Sequence, residues 1–231
     1  MSLSAIVKAS GRPKGTVHRM LSTLVNTGFV TQDPTTSQYS LTLKLWRLGA
    51  GAVGNVDVVK VARPWLEKLV AATDETVHLT VLDPSGAIIY VSKVESPRSI
   101  RVQTQIGQLS PAWCTATGRA LLAFNPDTAE RVLSRPLEPR TPKTVTDPKK
   151  IRAALKEVEA KGYSVTRSEN HPEMGGIAAP VRDHTGAVVA ACGVAIPVFR
   201  MTRELVERCI PHVLGAAAAI SAELGHDPRS A

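Results

Sequence analysis

The chain has 231 residues, of which 43% are hydrophobic and 21% charged, proportions typical of a folded globular protein. It shows neither the roughly 18 consecutive apolar residues of a membrane span nor the pattern of a signal peptide, so we expect a cytoplasmic protein without a membrane partner. Its three cysteines (Cys114, Cys192 and Cys209) are odd in number and widely spaced, which fits neither a disulfide framework nor a zinc cluster.

The formal net charge of +8 is concentrated near the N-terminus. Residues 1–50 carry six Lys or Arg and one acid, Asp33, whereas the other 181 residues have a net charge of only +3. A basic module joined to a nearly neutral one is typical of a nucleic-acid-binding domain attached to a second domain. A basic tail without a partner is the alternative on charge alone.

Two helices joined by a short turn are predicted at the N-terminus. Leu3, Ile6 and Val7 recur at helical spacing, and Gly11 ends the first helix. Pro13 suits the first turn of a second helix, because the missing N–H has no partner there. The predicted buried face of this second helix consists of Val17, Met20, Leu21, Leu24 and Val25. The arrangement is a helix-turn-helix.

The opposite face of the second helix combines bases and hydroxyls without any acid. Solvated helices usually mix Glu with Lys, because such pairs stabilise them. A face without acids suits phosphate oxygens and base edges, and the free N–H groups of a helix N-terminus also attract phosphate. The predicted DNA contacts on this helix are Lys14, Gly15, Thr16, His18, Arg19, Ser22 and Thr23.

A hairpin is predicted directly after this helix. The strand-like residues 29–32 and 39–43 flank the turn-forming sequence DPTTSQ. A hairpin at this place is the wing of a winged helix-turn-helix, and its loop places Thr36 near the DNA backbone or minor groove.

Residues 49–54 read GAGAVG, a literal GxGxxG, and Asp74 and Glu75 follow about 20 residues later, as in dinucleotide-binding folds. The preceding residues are polar at every second position, whereas the strand of such a fold is almost continuously apolar. We therefore interpret these glycines as a joint between two domains.

The rest of the chain predicts an α+β domain with an antiparallel sheet flanked by helices. A helix near 55–76 contains Pro64, which either kinks or divides it. VHLTVLD and AIIYVSKVE predict a hairpin, and SIRVQTQIG (residues 99–107) predicts a third strand. A short helix capped by Thr115, an amphipathic helix ended by Gly162, a second hairpin turning at DHTG and a terminal helix follow.

Six stretches of the chain, in order, resemble the IclR family of transcriptional regulators. They are GRPKGTVHRMLSTL, GFVTQDPTTSQYSLTLKLWRLG, ARPWLEKLVAATDETVHLTVLD, YVSKVES, CTATGRALLAF and GGIAAPVRDHTGAVVAACGVAIP. The resemblance implies a winged helix-turn-helix (1–41), a linker helix (42–56), a GAF-like effector-binding domain (57–225) and a short tail (226–231). It also implies a double-stranded DNA operator and a small-molecule effector as partners, with no cofactor. Homodimers joined through the N-terminal region, often paired into tetramers, and repression rather than activation are further expectations.

The sequence departs from the family pattern at its start. Family members have a further helix before the one predicted at 3–9, and it covers the apolar side of the other two. We therefore expect Leu3, Val7, Val17 and Leu21 to lose cover, at about 1.5–3 kcal/mol for each large side chain left exposed. We hypothesise that Met1 is not the native start.

The resemblance also implies the positions of the effector contacts. SPAWCTATG forms one wall, the segment before GGIAAP supplies polar groups, and ACGVAIP supplies two strand positions. Some members carry hydroxyls at these two positions that hold a carboxylate; this chain has none there, which favours a bulkier or less polar effector, such as an aromatic or other bulky carboxylate. The expected contacts are Ser110, Trp113, Cys114, Ala116, Thr117, Glu169, Asn170, Gly193 and Ala195. Trp113 either stacks on a planar ligand or is a structural aromatic.

A module without DNA function, binding a small molecule or acting as a Cys-His hydrolase, is the alternative. Cys114 lies at a helix N-terminus, where a thiolate would be stabilised, and His78 or His171 is a candidate base. No third orienting residue is evident, and the resemblance implies a non-catalytic role for this segment, so we predict that the protein is not an enzyme. Arg119 either contacts the ligand or forms a surface ion pair, the simpler expectation.

Overall fold

The computed structural model describes residues 1–45 and 58–227. The chain divides into two compact units, Met1–Asp57 and Val58–Ala231, each described here by itself. Most of the predicted linker helix, the whole GAGAVG stretch and residues 228–231 lie outside the described residues. The domain boundaries therefore stay predictions.

Within residues 1–45, the first unit forms two helices and a hairpin, followed by helical residues at 43–45. Helix α1 (Leu3–Ser10) is capped by Ser2 and ends at Gly11, whose φ of 63° is left-handed. Helix α2 (Lys14–Asn26) begins directly after Pro13. Strands β1 (Val30–Gln32) and β2 (Tyr39–Leu41) pair antiparallel, with Val30 opposite Leu41. This is the predicted winged helix-turn-helix.

The core of this unit lies where the two helices meet the hairpin. Val17, Leu21, Val30 and Tyr39 are buried, and Leu3, Ile6, Val7 and Val25 are half-buried against them. The expected loss of cover is therefore wrong for Val17 and Leu21, because α1 and the hairpin shield them. The predicted burial of Met20 and Leu24 is also wrong: they are 51% and 39% exposed, because they flank the buried stripe of α2 and are not among the residues packed into this core.

A six-stranded antiparallel sheet forms the second unit, in the order β5-β4-β3-β8-β7-β6. Its strands are β3 (Thr76–Leu82), β4 (Ala87–Val94), β5 (Leu109–Pro111), β6 (Ser164–Arg167), β7 (Met174–Arg182) and β8 (Val188–Pro197). The helices are α3 (Val58–Thr73), α4 (Ala116–Leu122), α5 (Pro126–Leu133), α6 (Pro148–Lys161) and α7 (Arg203–Glu223). The α+β class is as predicted.

Two apolar clusters give this unit its layers. One cluster joins α3 and α7 to strand residues such as Val77 and Leu79. The other joins α4, α5 and α6 to strand residues such as Ile88 and Ala178. By length and composition α7 could cross a membrane, yet its side chains from Cys209 to Ile220 contribute to the first cluster.

Several local predictions differ from the structure. Residues 99–107 form no strand; β5 follows them and pairs with β4. Side chains hydrogen-bond to the backbone of this segment; for example, Thr76 Oγ1 donates to the carbonyl of Val102 (3.2 Å). Pro64 lies inside a single helix, α3. Helix α5 and strand β6 were not predicted.

Candidate effector pocket and DNA-binding surface

The acid-free face of α2 is open to solvent. Of the predicted DNA contacts on it, Thr16 is half-buried and the others are exposed. The hydroxyls of Ser22 and Thr23 donate to the carbonyls of His18 (3.0 Å) and Arg19 (3.1 Å), so their oxygen lone pairs remain available to a donor. The face therefore presents bases, acceptors and the unpaired N–H groups of a helix start.

The turn of the hairpin is held by Asp33. Its Oδ1 accepts from the backbone N–H groups of Thr35 (2.8 Å) and Thr36 (2.9 Å). The bonds from Thr36 and then Thr35 lower the pKa of Asp33, so the carboxylate stays ionised and the turn keeps its shape. Thr36 is exposed in this turn, where the wing prediction places it.

A pocket in the second unit lies among the start of α4, strands β3, β7 and β8, and the segment before β5. Its empty volume, counted out to the solvent, is about 500 Å³. Six predicted effector contacts line it: Cys114, Ala116, Thr117, Asn170, Gly193 and Ala195. Sequence reasoning missed, as effector contacts, His78, Tyr90, Val102, Thr104, Thr115, Thr166, His171, Met174, Gly175, Gly176 and Val194.

Three predicted contacts do not line the pocket. Ser110 is buried on β5 and hydrogen-bonds Tyr90. Trp113 packs against the apolar cluster of α4–α6, which favours the structural role that the sequence left open. Both carboxylate oxygens of Glu169 are bonded to Arg119. That pair is buried, so the expected surface ion pair of Arg119 is wrong.

His78 forms a hydrogen bond with a residue of another pocket segment. Its Nε2 lies 2.7 Å from Thr104 Oγ1, and its ring meets Tyr90 edge-on at 4.9 Å between centroids. Burial, with a smaller contribution from the charge of Lys93, lowers the pKa of His78 to about 4. His78 is therefore neutral near pH 7.

The thiolate at Cys114 that the hydrolase alternative requires is not favoured by its surroundings. Burial, and then the negative charge of Glu169, raise the pKa of Cys114 to about 12. Its Sγ–H instead points at Asn170 Oδ1, 3.7 Å away. Cys114 is therefore a neutral thiol that packs within the pocket wall.

The absence of a side chain at Gly193 has a structural reason that the sequence did not reveal. A Cβ at this position would lie 2.4 Å from the carbonyl oxygen of Ile177 and 2.7 Å from the Cβ of Ala178, its partner on β7. The missing side chain therefore permits close approach of two strands. The inference that it frees volume for a bulky ligand is not supported at this position.

A winged helix-turn-helix with an acid-free helix face, joined to an α+β unit with a polar pocket, defines a ligand-responsive transcription regulator. Residues 1–34 match the IclR helix-turn-helix domain, and residues 50–222 match the family described as bacterial transcriptional regulator IclR C-terminal. The protein belongs to the IclR family and is a DNA-binding transcriptional regulator with an effector-binding domain.

Known relatives support this assignment over nearly the full chain. The HTH-type transcriptional regulator KdgR of Escherichia coli K12 is 34% identical over 215 residues, which is 92% of this chain and 81% of KdgR. The DNA-binding transcriptional repressor YiaJ of the same organism is 29% identical, over 98% of this chain and 82% of YiaJ. An IclR homologue from Microbacterium hydrocarbonoxydans, solved with 4-hydroxybenzoate, superimposes with a TM-score of 0.85 at 25% identity, over 100% and 92% of the two chains.

Proposed function

We propose that the protein is a repressor whose affinity for its operator changes when an aromatic or similarly bulky carboxylate binds in the pocket. The observation that carries this proposal is the lining of that pocket. Among the described residues that line it, none is Asp, Glu, Lys or Arg, while hydroxyl, imidazole and amide groups alternate with glycine and alanine.

This lining suits a planar acid with one or more polar substituents. Small residues such as Ala116, Ala195 and Gly176 leave flat walls, and Tyr90 offers an aromatic edge. A carboxylate that leaves water requires several hydrogen bonds, which Thr117, Thr166 and the Asn170 amide would supply. The homologue solved with 4-hydroxybenzoate provides the probe.

Calorimetry with a small panel tests the effector. We expect 4-hydroxybenzoate to bind more tightly than cyclohexanecarboxylate, which lacks a planar ring, or pyruvate, which has no ring to pack against the lining. Ala116→Phe should abolish binding by filling the pocket, whereas Ala153→Phe, on the exposed side of α6, should not. Equal binding by both variants would refute the assigned pocket.

Electrophoretic shifts with DNA from beside the gene test the operator function. Lys14→Ala should lower the slope of log affinity against log salt by about one, while Arg19→Ala should also relax base preference. Equal, sequence-independent losses would show that Arg19 reads no base. Release of the DNA by the effector, with rising expression of a reporter, is the expected mark of a repressor.

The proposal includes a cytoplasmic, non-enzymatic homodimer joined through the N-terminal unit, with tetramers as pairs of dimers. A symmetric dimer presents two α2 helices to two half-sites of an operator. Light scattering during gel filtration should give a mass of two or four chains of 24.6 kDa. A monomer that still binds its operator would contradict this part of the proposal.

A further inference from the structure

Arg119 connects the two segments that carry the predicted polar contacts of the pocket. From α4, its Nε donates to the carbonyl of Trp113 (2.8 Å), while Nη1 and Nη2 donate to Glu169 Oε1 (2.9 Å) and Oε2 (2.5 Å). The two residues are only 6% and 9% exposed. One buried guanidinium therefore ties the segment before α4 to the loop between β6 and β7.

The loop between β6 and β7, residues 168–173, is fixed at two further points. Thr141 Oγ1 donates to the carbonyl of Ser168 and Thr144 Oγ1 to that of Glu169, both at 2.6 Å. Ser168 has a φ of 57°, in the left-handed region that residues with side chains rarely adopt. Such a conformation persists only where the surroundings enforce it.

The consequence of these bonds is the placement of Asn170. Its side chain lines the pocket and accepts from the Cys114 thiol, which belongs to the segment that Arg119 holds through Trp113. Glu169, the preceding residue, has both oxygens bonded to Arg119 and does not line the pocket.

We propose that Arg119 and Glu169 are positioning residues of the effector site: they hold Asn170 against the pocket and do not themselves bind the effector. Desolvation of a buried ion pair usually offsets its attraction, so stability alone gives little reason for one here. The inference rests on the proposed function, because it takes this pocket as the effector site.

Alkylation of Cys114 by iodoacetamide tests the positioning without any ligand, and Thr144→Val, which keeps the Glu169 charge that raises the pKa of Cys114, separates exposure of the thiol from loss of that charge. In R119M/E169M we expect Cys114 to react at least about tenfold faster, while Cys192 and Cys209 stay protected, as read by mass spectrometry. The exposed bidentate pair Glu130–Arg152 provides the control variant R152M/E130M, which should leave the rate unchanged. An unchanged rate, or a joint rise at all three cysteines, would overturn the proposal.

Thr144→Val keeps the test decisive if the double variant does not fold. It removes the bond from the half-buried Thr144 hydroxyl to the loop, together with the acceptor of the backbone N–H groups of Arg140 and Thr141, and we expect about threefold faster alkylation of Cys114. No increase in this folded variant would count against the positioning role.

A double-mutant cycle with 4-hydroxybenzoate as probe then tests the route of the effect. R119M/E169M should weaken binding about tenfold in the wild-type background and should have little effect when Asn170→Ala is already present. Equal losses in both backgrounds would show that the pair does not act through Asn170. If wild type itself does not bind this probe, the proposed effector class fails, while the alkylation result still decides the positioning role.

Discussion

The Arg119–Glu169 pair predicts an unusual stability pattern. Arg119→Met leaves the Glu169 carboxylate, whose side chain is 11% exposed, without a counter-ion, and Glu169→Met does the same to the guanidinium. Breaking one side of a buried pair costs about 3–5 kcal/mol. For a unit of this size that corresponds to a fall in Tm of about 6–20 °C in each single variant.

The double variant R119M/E169M removes both charges together. The remaining loss of stability, about 1–3 kcal/mol, comes from the carbonyl of Trp113, which no longer accepts a hydrogen bond from Arg119 Nε. The double variant should therefore be more stable than either single variant. Denaturant unfolding followed by tryptophan fluorescence measures this, and additive losses from the two single changes would refute the reasoning.

Three further outcomes follow from the structure. Burial lowers the pKa of His78 from 6.5 to about 4, so on acidification the unfolded chain binds a proton before the native state does. The free energy of unfolding should therefore fall by up to about 3 kcal/mol between pH 6.5 and pH 4. His78→Gln should flatten this pH dependence when unfolding is measured across the same range. Gly193→Ala should lower the free energy of unfolding by about 1–3 kcal/mol, because the new Cβ meets the Ile177 carbonyl. Gly215→Ala, on the exposed side of α7, should instead raise it by about 0.5–1 kcal/mol. Equal shifts in Tm for the two variants would contradict this. Gly15→Ala has free space around its Cβ, so a loss of operator affinity without loss of stability would indicate that DNA backbone approaches this helix start, and unchanged affinity would exclude it.

The elements that sequence predicted well are those with local chemical signals. Gly162 ends α6 with a φ of 76°, and Gly186 closes the second hairpin with a φ of 83°, as the turn chemistry indicated. Residues 99–107 alternate like a strand, yet β5 occupies the edge of β4 beside them. Strand pairing is decided by distant neighbours, so alternation alone could not distinguish these segments.

The pocket illustrates the same limit at the level of single residues. His78 and Tyr90 lie on adjacent strands and were missed as effector contacts, because only the pairing of β3 with β4 brings their rings together. Glu169 was predicted as an effector contact, yet it does not line the pocket, and its role depends on a partner fifty residues away, Arg119. A carboxylate beside a ligand site has the same appearance in sequence whether it binds the ligand or holds the residue that does. Only the occupancy of its two oxygens separates these roles, and here both are bonded to Arg119.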